Sequence, residues 1–143
     1  MTHETMKTFG YPDTLISEYQ CWNVVLRPRQ ATLGALVLIC KENATAFSDI
    51  TPAAFAELAP VVGDIENALK QVVGYDKINY LMLMMVDPHV HFHVLPRHRN
   101  PAEFNGRSYD DAQWPGPPNI ADAIDIDTSD FAKLLEMLRN TWP

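Results

Sequence analysis

The sequence predicts an α+β fold, one domain over residues 1–143 with its core at about 14–97 and a loop and helix following at 98–143. Three observations predict it. Runs rich in β-branched and aromatic residues cluster at 15–26, 33–40 and 77–95. A single long stretch between them, 51–73, carries apolar residues at three- and four-residue steps. Asp87-Pro88 joins the last two apolar runs as a turn, which makes neighbouring strands antiparallel. A chain of 143 residues that is 47% hydrophobic is sized for one core.

Residues 1–13 end in the turn signal Gly10-Tyr11-Pro12-Asp13 and predict a loosely attached arm or a short helix. The runs 15–19 and 21–26 predict the first strand pair. Arg27-Pro28-Arg29 ends it, because proline cannot donate to a ladder. Its two guanidinium groups are either solvated loop charges or partners for phosphate oxygens, which the arginine fork matches. The run 33–40, with Gly34 near its start, predicts a strand buried on both faces.

Thr51 and Pro52 suit the cap and first position of the main helix. Phe55, Leu58, Val62, Ile65, Leu69 and Val72 form its apolar stripe, a core face rather than a cofactor site. Pro60 should kink it, and Gly74 marks its exit. Residues 77–86 are apolar at both parities and predict a central strand covered on both faces, with methionines filling gaps. Asp87-Pro88 then turns directly into the following strand.

Arg97-His98-Arg99 and Arg107 concentrate basic charge behind that strand, either as a solvated face or as an attraction for an anion. The stretch 101–119 is rich in Gly, Pro, Asn and Asp and carries Phe104, Tyr109 and Trp114, which predicts a long loop folded over the site or over a partner subunit. Thr128 or Ser129 caps a final helix at about 130–139, with Phe131, Leu134, Leu135 and Leu138 on one face.

A formal charge of −7 argues against binding along a nucleic-acid backbone while allowing a small anion in a local basic pocket. Cys21 and Cys40 form no Cys-x-x-Cys pair and no disulfide framework. The first residues lack the basic and apolar regions of a signal peptide, and no apolar run approaches the roughly 20 residues of a membrane span. The expectation is a cytoplasmic protein with no nucleic-acid and no membrane partner.

Chemistry concentrates in one place. His89, His91 and His93 alternate with Val90, Phe92 and Val94, so in an extended strand the three imidazoles share a face. The outer two Cα atoms would lie about 13 Å apart, too far to share one ion whose nitrogen ligands sit at about 2.0–2.1 Å. A metal site would therefore recruit distant Asp, Glu or Cys. A flanked middle imidazole suits phosphoryl chemistry better: one ring nitrogen is nucleophilic when the other donates its proton to a fixed acceptor.

His89-Val90-His91-Phe92-His93-Val94-Leu95 resembles the histidine triad signature, His-x-His-x-His-x-x with x apolar, of the HIT superfamily of nucleotide hydrolases and transferases. The likeness covers roughly residues 21–97. It implies a HIT-like fold: an antiparallel sheet of about five strands with one long helix packed on it and a C-terminal helix. It implies an enzyme acting at the α-phosphate of dinucleoside polyphosphates or nucleoside phosphoramidates. His91 would be the nucleophile, forming a nucleotidyl-histidine. His93 would assist the leaving group, and His89 would orient the middle imidazole, largely through backbone contacts. Trp22, Leu26 and Leu36 would line the base and ribose, and Arg27 and Arg97 would face phosphate. The motif requires no metal or other cofactor, although polyphosphates can arrive as Mg²⁺ complexes. Relatives are usually homodimers joined through the helix and the central strand, so a homodimer is implied. Two departures stand out. A supporting upstream histidine is replaced by Ala35, and a Gly-rich phosphate-contacting loop before the triad is replaced by the short Asp87-Pro88 turn. They keep open a nucleotide-binding regulatory module with little turnover; the other alternative is a metal-dependent enzyme using the histidine cluster as ligands.

Overall fold

In the computed structural model, which describes residues 2–143, the strands β1 (Leu15–Glu18), β2 (Trp22–Leu26), β3 (Leu36–Cys40), β4 (Lys77–Leu81) and β5 (His91–Arg97) form one antiparallel sheet in the order β1-β2-β3-β5-β4. β2 and β3 pair from Trp22 opposite Cys40 to Leu26 opposite Leu36, and β3 meets β5 with Ile39 opposite His91 and Val37 opposite His93. Because directly opposed residues share a face, His91 and His93 stand on the side of Val25, Val37 and Ile39. Trp22, Val24, Leu26, Leu36, Leu38 and Val94 stand on the other.

That second side is the main core. It packs against α2 (Pro52–Val72) and α3 (Thr128–Thr141) through Val61, Ile65, Leu69, Leu134 and Leu138. Thr51 caps α2 by accepting from Ala54 N, and Gly74, at φ +64°, ends it as expected. The helix runs on through the exposed Pro60 as one element. Its buried face is Ala54, Val61, Ile65, Ala68 and Leu69, so the predicted stripe is offset. Phe55 is exposed, and Leu58 and Val62 are half-buried beside Tyr80 and Phe92. Trp22, wholly buried, donates from Nε1 to the Ala54 carbonyl at 2.8 Å, which locks sheet to helix.

Four expectations need correction. β4 is an edge strand and ends at Leu81, not a central strand running to Val86; residues 82–90 leave the sheet, with Met82 and Met84 packed on the core while Leu83, Met85 and Val86 face outward. The connection into β5 is thus a nine-residue loop, not a tight Asp87-Pro88 turn. Residues 101–119 contain a hairpin, β6 (Ala102–Phe104) and β7 (Arg107–Tyr109), turned by Asn105-Gly106 with both φ positive, and its Phe104 and Tyr109 enter the main core. The cap of α3 is Asp127, which accepts from Ser129 N. The predicted arm, described from Thr2 onward with Met1 outside the described residues, contains α1 (Glu4–Thr8) and is firmly seated: Met6 and Phe9 pack on Val25, Val37 and Ile39. Among the described residues no helix is long and apolar enough to cross a membrane.

Candidate active site

β4 leaves the sheet at Leu81, opposite His93, so the first residues of β5 have a strand neighbour on one side only. The gap beside them is a cavity of 160 Å³. His91, His93, Arg27, Phe9, Ile120 and the loop residues from Leu83 to Asp87 line it. Within the loop Met84 sits at φ +52°, a left-handed conformation uncommon for a residue with a side chain.

The His91 ring donates Nδ1–H to the His89 carbonyl at 2.6 Å. This fixes the tautomer and leaves Nε2 with its lone pair. His93 meets His91 edge-on at 5.1 Å between centroids. Its Nδ1 is buried and has no hydrogen-bond partner among the described residues. Burial first, then the neighbouring His91 and Arg27 charges, push its pKa down to about 4, so the ring is neutral at neutral pH.

Arg27 directly follows the end of β2, before Pro28, and lines the cavity. Its guanidinium donates to the Arg29 and Ile120 carbonyls, and its Nε is buried without a partner among the described residues. The segment that receives it also accepts from Arg29 at Ala121, and Ile124 N bonds the Gln30 carbonyl, so the stretch after the hairpin walls the site.

His89 lies outside the strand that carries the other two. It precedes β5, and its ring is clasped by the N-terminal arm. Thr5 Oγ1 donates to its Nδ1 at 2.9 Å, its Nε2–H donates to Asn43 Oδ1 at 2.8 Å, and His3 stacks on it at 3.8 Å with planes 5° apart. Burial, then His3 and His91, lowers its pKa. His3 in turn donates to the Cys40 carbonyl and accepts from Met6 N, capping α1. Phe9 lies 5.7 Å from both the His91 and the His93 rings.

Several predicted site residues lie elsewhere. Trp22, Leu26 and Leu36 are fully buried against the helices, on the opposite side of the sheet from the imidazoles, because they share the parity of the core face. Arg97 keeps the histidine parity but lies four residues further along. Its buried charge is bonded by Asp111 at 2.7 Å, Asn79 Oδ1 and the Gly116 carbonyl, so it is a structural clamp rather than a free anion site. Arg107 pairs with Asp127 and Asp130. Ala35 is buried with Leu95 and Ala31, and the fourth imidazole of the cluster is His3. Among the described residues no group of three His, Cys, Asp or Glu is placed to share a metal ion. Thr5, Phe9, Asn43 and Ile120 carried no local sequence signal, and His3 was visible only as a lone histidine.

The profile of the HIT domain matches residues 14–100, more than half of the chain. No curated protein matches it. Among solved structures, a histidine triad protein from Bradyrhizobium japonicum superimposes with a TM-score of 0.77 at 19% identity, covering 100% of this chain and 98% of that one. One from Sinorhizobium meliloti gives 0.76 at 19%, covering 99% and 96%. A hypothetical histidine triad nucleotide-binding protein from Sulfolobus tokodaii gives 0.66 at 20%, covering 90% and 82%. At these identities the likeness is one of fold.

Proposed function

This chain belongs to the HIT domain family, and from that premise we propose that it hydrolyses or transfers a nucleotidyl group at the α-phosphate of a nucleotide conjugate through a nucleotidyl-His91 intermediate. One observation carries the reading: His91 gives its Nδ1 proton to a fixed carbonyl and keeps a free Nε2 on a cavity that Arg27 and His93 also line.

Nε2 attacks phosphorus in line, forming a P–N bond as the bond to the leaving group breaks. Arg27 draws the phosphoryl oxygens into place. The incoming negative charge raises the depressed His93 pKa, so this ring can take up a proton with the substrate and pass it to the leaving group. Water then attacks phosphorus, the P–N electron pair returns to His91, and the water's proton returns to His93. Such acid–base help contributes roughly 10²–10⁴-fold. The Phe9 and Ile120 walls exclude bulk water from these transfers. His89 serves as the anchor for His91, through its carbonyl. No step needs a metal from the protein.

The test is nucleoside monophosphate release from diadenosine polyphosphates and adenosine phosphoramidates by wild type and His91→Ala without added metal. Release by wild type alone supports the reading, as does trapping of a phosphorus-labelled histidine. Saturable binding without turnover by either protein would establish the regulatory-module alternative, which the alanine at position 35 favours.

The unpaired edge of β4 lies next to an apolar groove lined by Leu38, Leu58, Val62, Tyr80 and Phe92, with Phe47 and Phe55 exposed beside it. This supports a homodimer in which the sheets join. Sedimentation of wild type against Val62→Glu checks it: a dimer is expected to become monomeric, and an unchanged monomer would sink the assignment.

A further inference from the structure

We propose that His3 and His89 form a proton-operated clasp: two neutral, stacked rings hold the first turn of the N-terminal arm against the site, and acid opens the clasp and lowers activity. The inference rests on the phosphoryl-transfer reading above for its effect on turnover, while the clasp itself belongs to the fold.

Both rings are used as neutral imidazoles. His3 accepts the Met6 N–H on Nδ1 at 3.4 Å and gives its Nε2–H to the Cys40 carbonyl at 2.8 Å. Both partners are backbone groups, so neither can reverse its role. A further proton on His3 would point Nδ1–H at the Met6 N–H and abolish the side-chain cap of α1. His89 is more tolerant. Its Nε2–H goes to Asn43 Oδ1, while the Thr5 hydroxyl at its Nδ1 can rotate to accept instead of donate. The first proton can therefore enter at His89 with the clasp closed.

The second proton opens it. The rings lie 3.8 Å apart with planes 5° from parallel, so that proton would set two like charges face to face. The surroundings offer little relief. Burial first, then His3 and His91, hold the His89 pKa below its ordinary value; the opposing carboxylate is that of Glu4, which is exposed and shared with Lys7 at 3.5 Å. Asn43 is neutral, Glu42 beside it is taken up by Thr51, and Asp87 lines the cavity. The closed clasp thus holds one proton where two separated histidines would hold two. Closure is complete above the ordinary histidine value near 6.5 and is lost as pH falls below it.

Opening reaches the site by two routes. Thr5 leaves His89, whose carbonyl is the acceptor that fixes His91 Nδ1–H at 2.6 Å. Phe9, directly after α1, lines the cavity 5.7 Å from the His91 and His93 rings. A released first turn loosens the anchor of the nucleophile and one wall of its cavity together.

Backbone and imidazole nitrogen spectra of the whole chain, recorded from about pH 8 down to about pH 5, read the clasp without substrate. The Thr5 and Met6 amides are expected to lose their order in one step with the protonation of His3 and His89, steeper than a single-proton titration, with the His91 Nδ1–H resonance broadening alongside. His3→Gln offers a side-chain N–H to Cys40 and an oxygen to Met6 and takes up no proton. Its arm should stay ordered to about ten-fold higher proton concentration, and the acid limb of its kcat should move by the same factor while kcat at about pH 8 stays that of wild type. Rings that titrate while the arm amides keep their order would overturn the proposal, as would an arm or an acid limb that responds at the same pH in both proteins. If His3→Gln leaves the arm loose even at the alkaline end, the wild-type spectra decide: one shared step for rings and arm upholds the clasp, and separate steps overturn it. A chain that releases no monophosphate at any pH defeats the hydrolase reading, and the spectra still decide the clasp.

Discussion

The two faces of the sheet bury side chains by different rules. On the helix face, Trp22, Leu26, Leu36 and Leu38 meet α2 and α3 in an apolar layer where size and parity suffice. On the histidine face, buried polar groups each need a specific partner, and the partners come from far along the chain: His3 finds the Cys40 carbonyl, and Arg27 finds that of Ile120. Among the described residues four buried polar atoms lack a partner; Asn23 Oδ1 and Thr32 Oγ1 lie away from the cavity, whereas His93 Nδ1 and Arg27 Nε belong to residues that line it. The two at the cavity are the ones a bound ligand could satisfy.

Exchanging the damage between the faces gives the largest expected effects. His91→Ala should cut turnover by at least about 10³-fold while shifting the unfolding midpoint little, since it removes the nucleophile and leaves the helix-side core intact. Trp22→Ala should do the reverse, costing about 3–5 kcal/mol by cavity formation and loss of its bond to Ala54, with turnover per folded molecule largely kept. Urea unfolding alongside active-site-titrated kinetics reads both. If Trp22→Ala lost activity without stability, the separation of faces would be wrong.

Acid should weaken the histidine face before the helix face. His93 has a folded pKa of about 4 against an ordinary value near 6.5, so between those values the unfolded chain holds a proton that the folded one does not. Stability is therefore complete above pH 6.5 and falls as pH drops toward 4, by up to about 3 kcal/mol from this group. His93→Gln should flatten that part of the curve of unfolding free energy against pH. A slope unchanged by the substitution would show that His93 does not carry it.

The asymmetry of the faces also explains what could be read from sequence. Five strands, the long helix with its Thr51 cap and the terminal helix follow from local periodicity, and so does the pairing of His91 with His93 on one side. Parity also misled. It assigned 82–86 to a strand, because a loop that packs Met82 and Met84 inward has the same apolar composition as a doubly covered strand. It could not say which face carried the chemistry, so Trp22, Leu26 and Leu36 were assigned to substrate although the helices cover them. Arg97 looked like an anion site because its partner, Asp111, lies beyond a hairpin that composition concealed. The clasp on His89 depends on contacts across 84 residues, which no local pattern encodes.

That clasp sets the smallest and most discriminating expectation. Thr5 Oγ1 accepts from His89 N at 3.4 Å and donates to its Nδ1, and the His89 carbonyl in turn receives the His91 proton. Thr5→Val keeps the shape and removes both bonds, at a cost of about 1 kcal/mol in stability. If the arm positions the nucleophile, kcat should fall a few-fold with KM unchanged, and the downfield proton resonance of His91 Nδ1–H should move, because its acceptor is no longer held in place. Thr5→Ser should restore both. Were the arm only a cover for Val25, Val37 and Ile39, the midpoint of unfolding would drop while the resonance and kcat stayed where they were. The arm would then belong with the helix face, as packing, despite lying on the other side of the sheet.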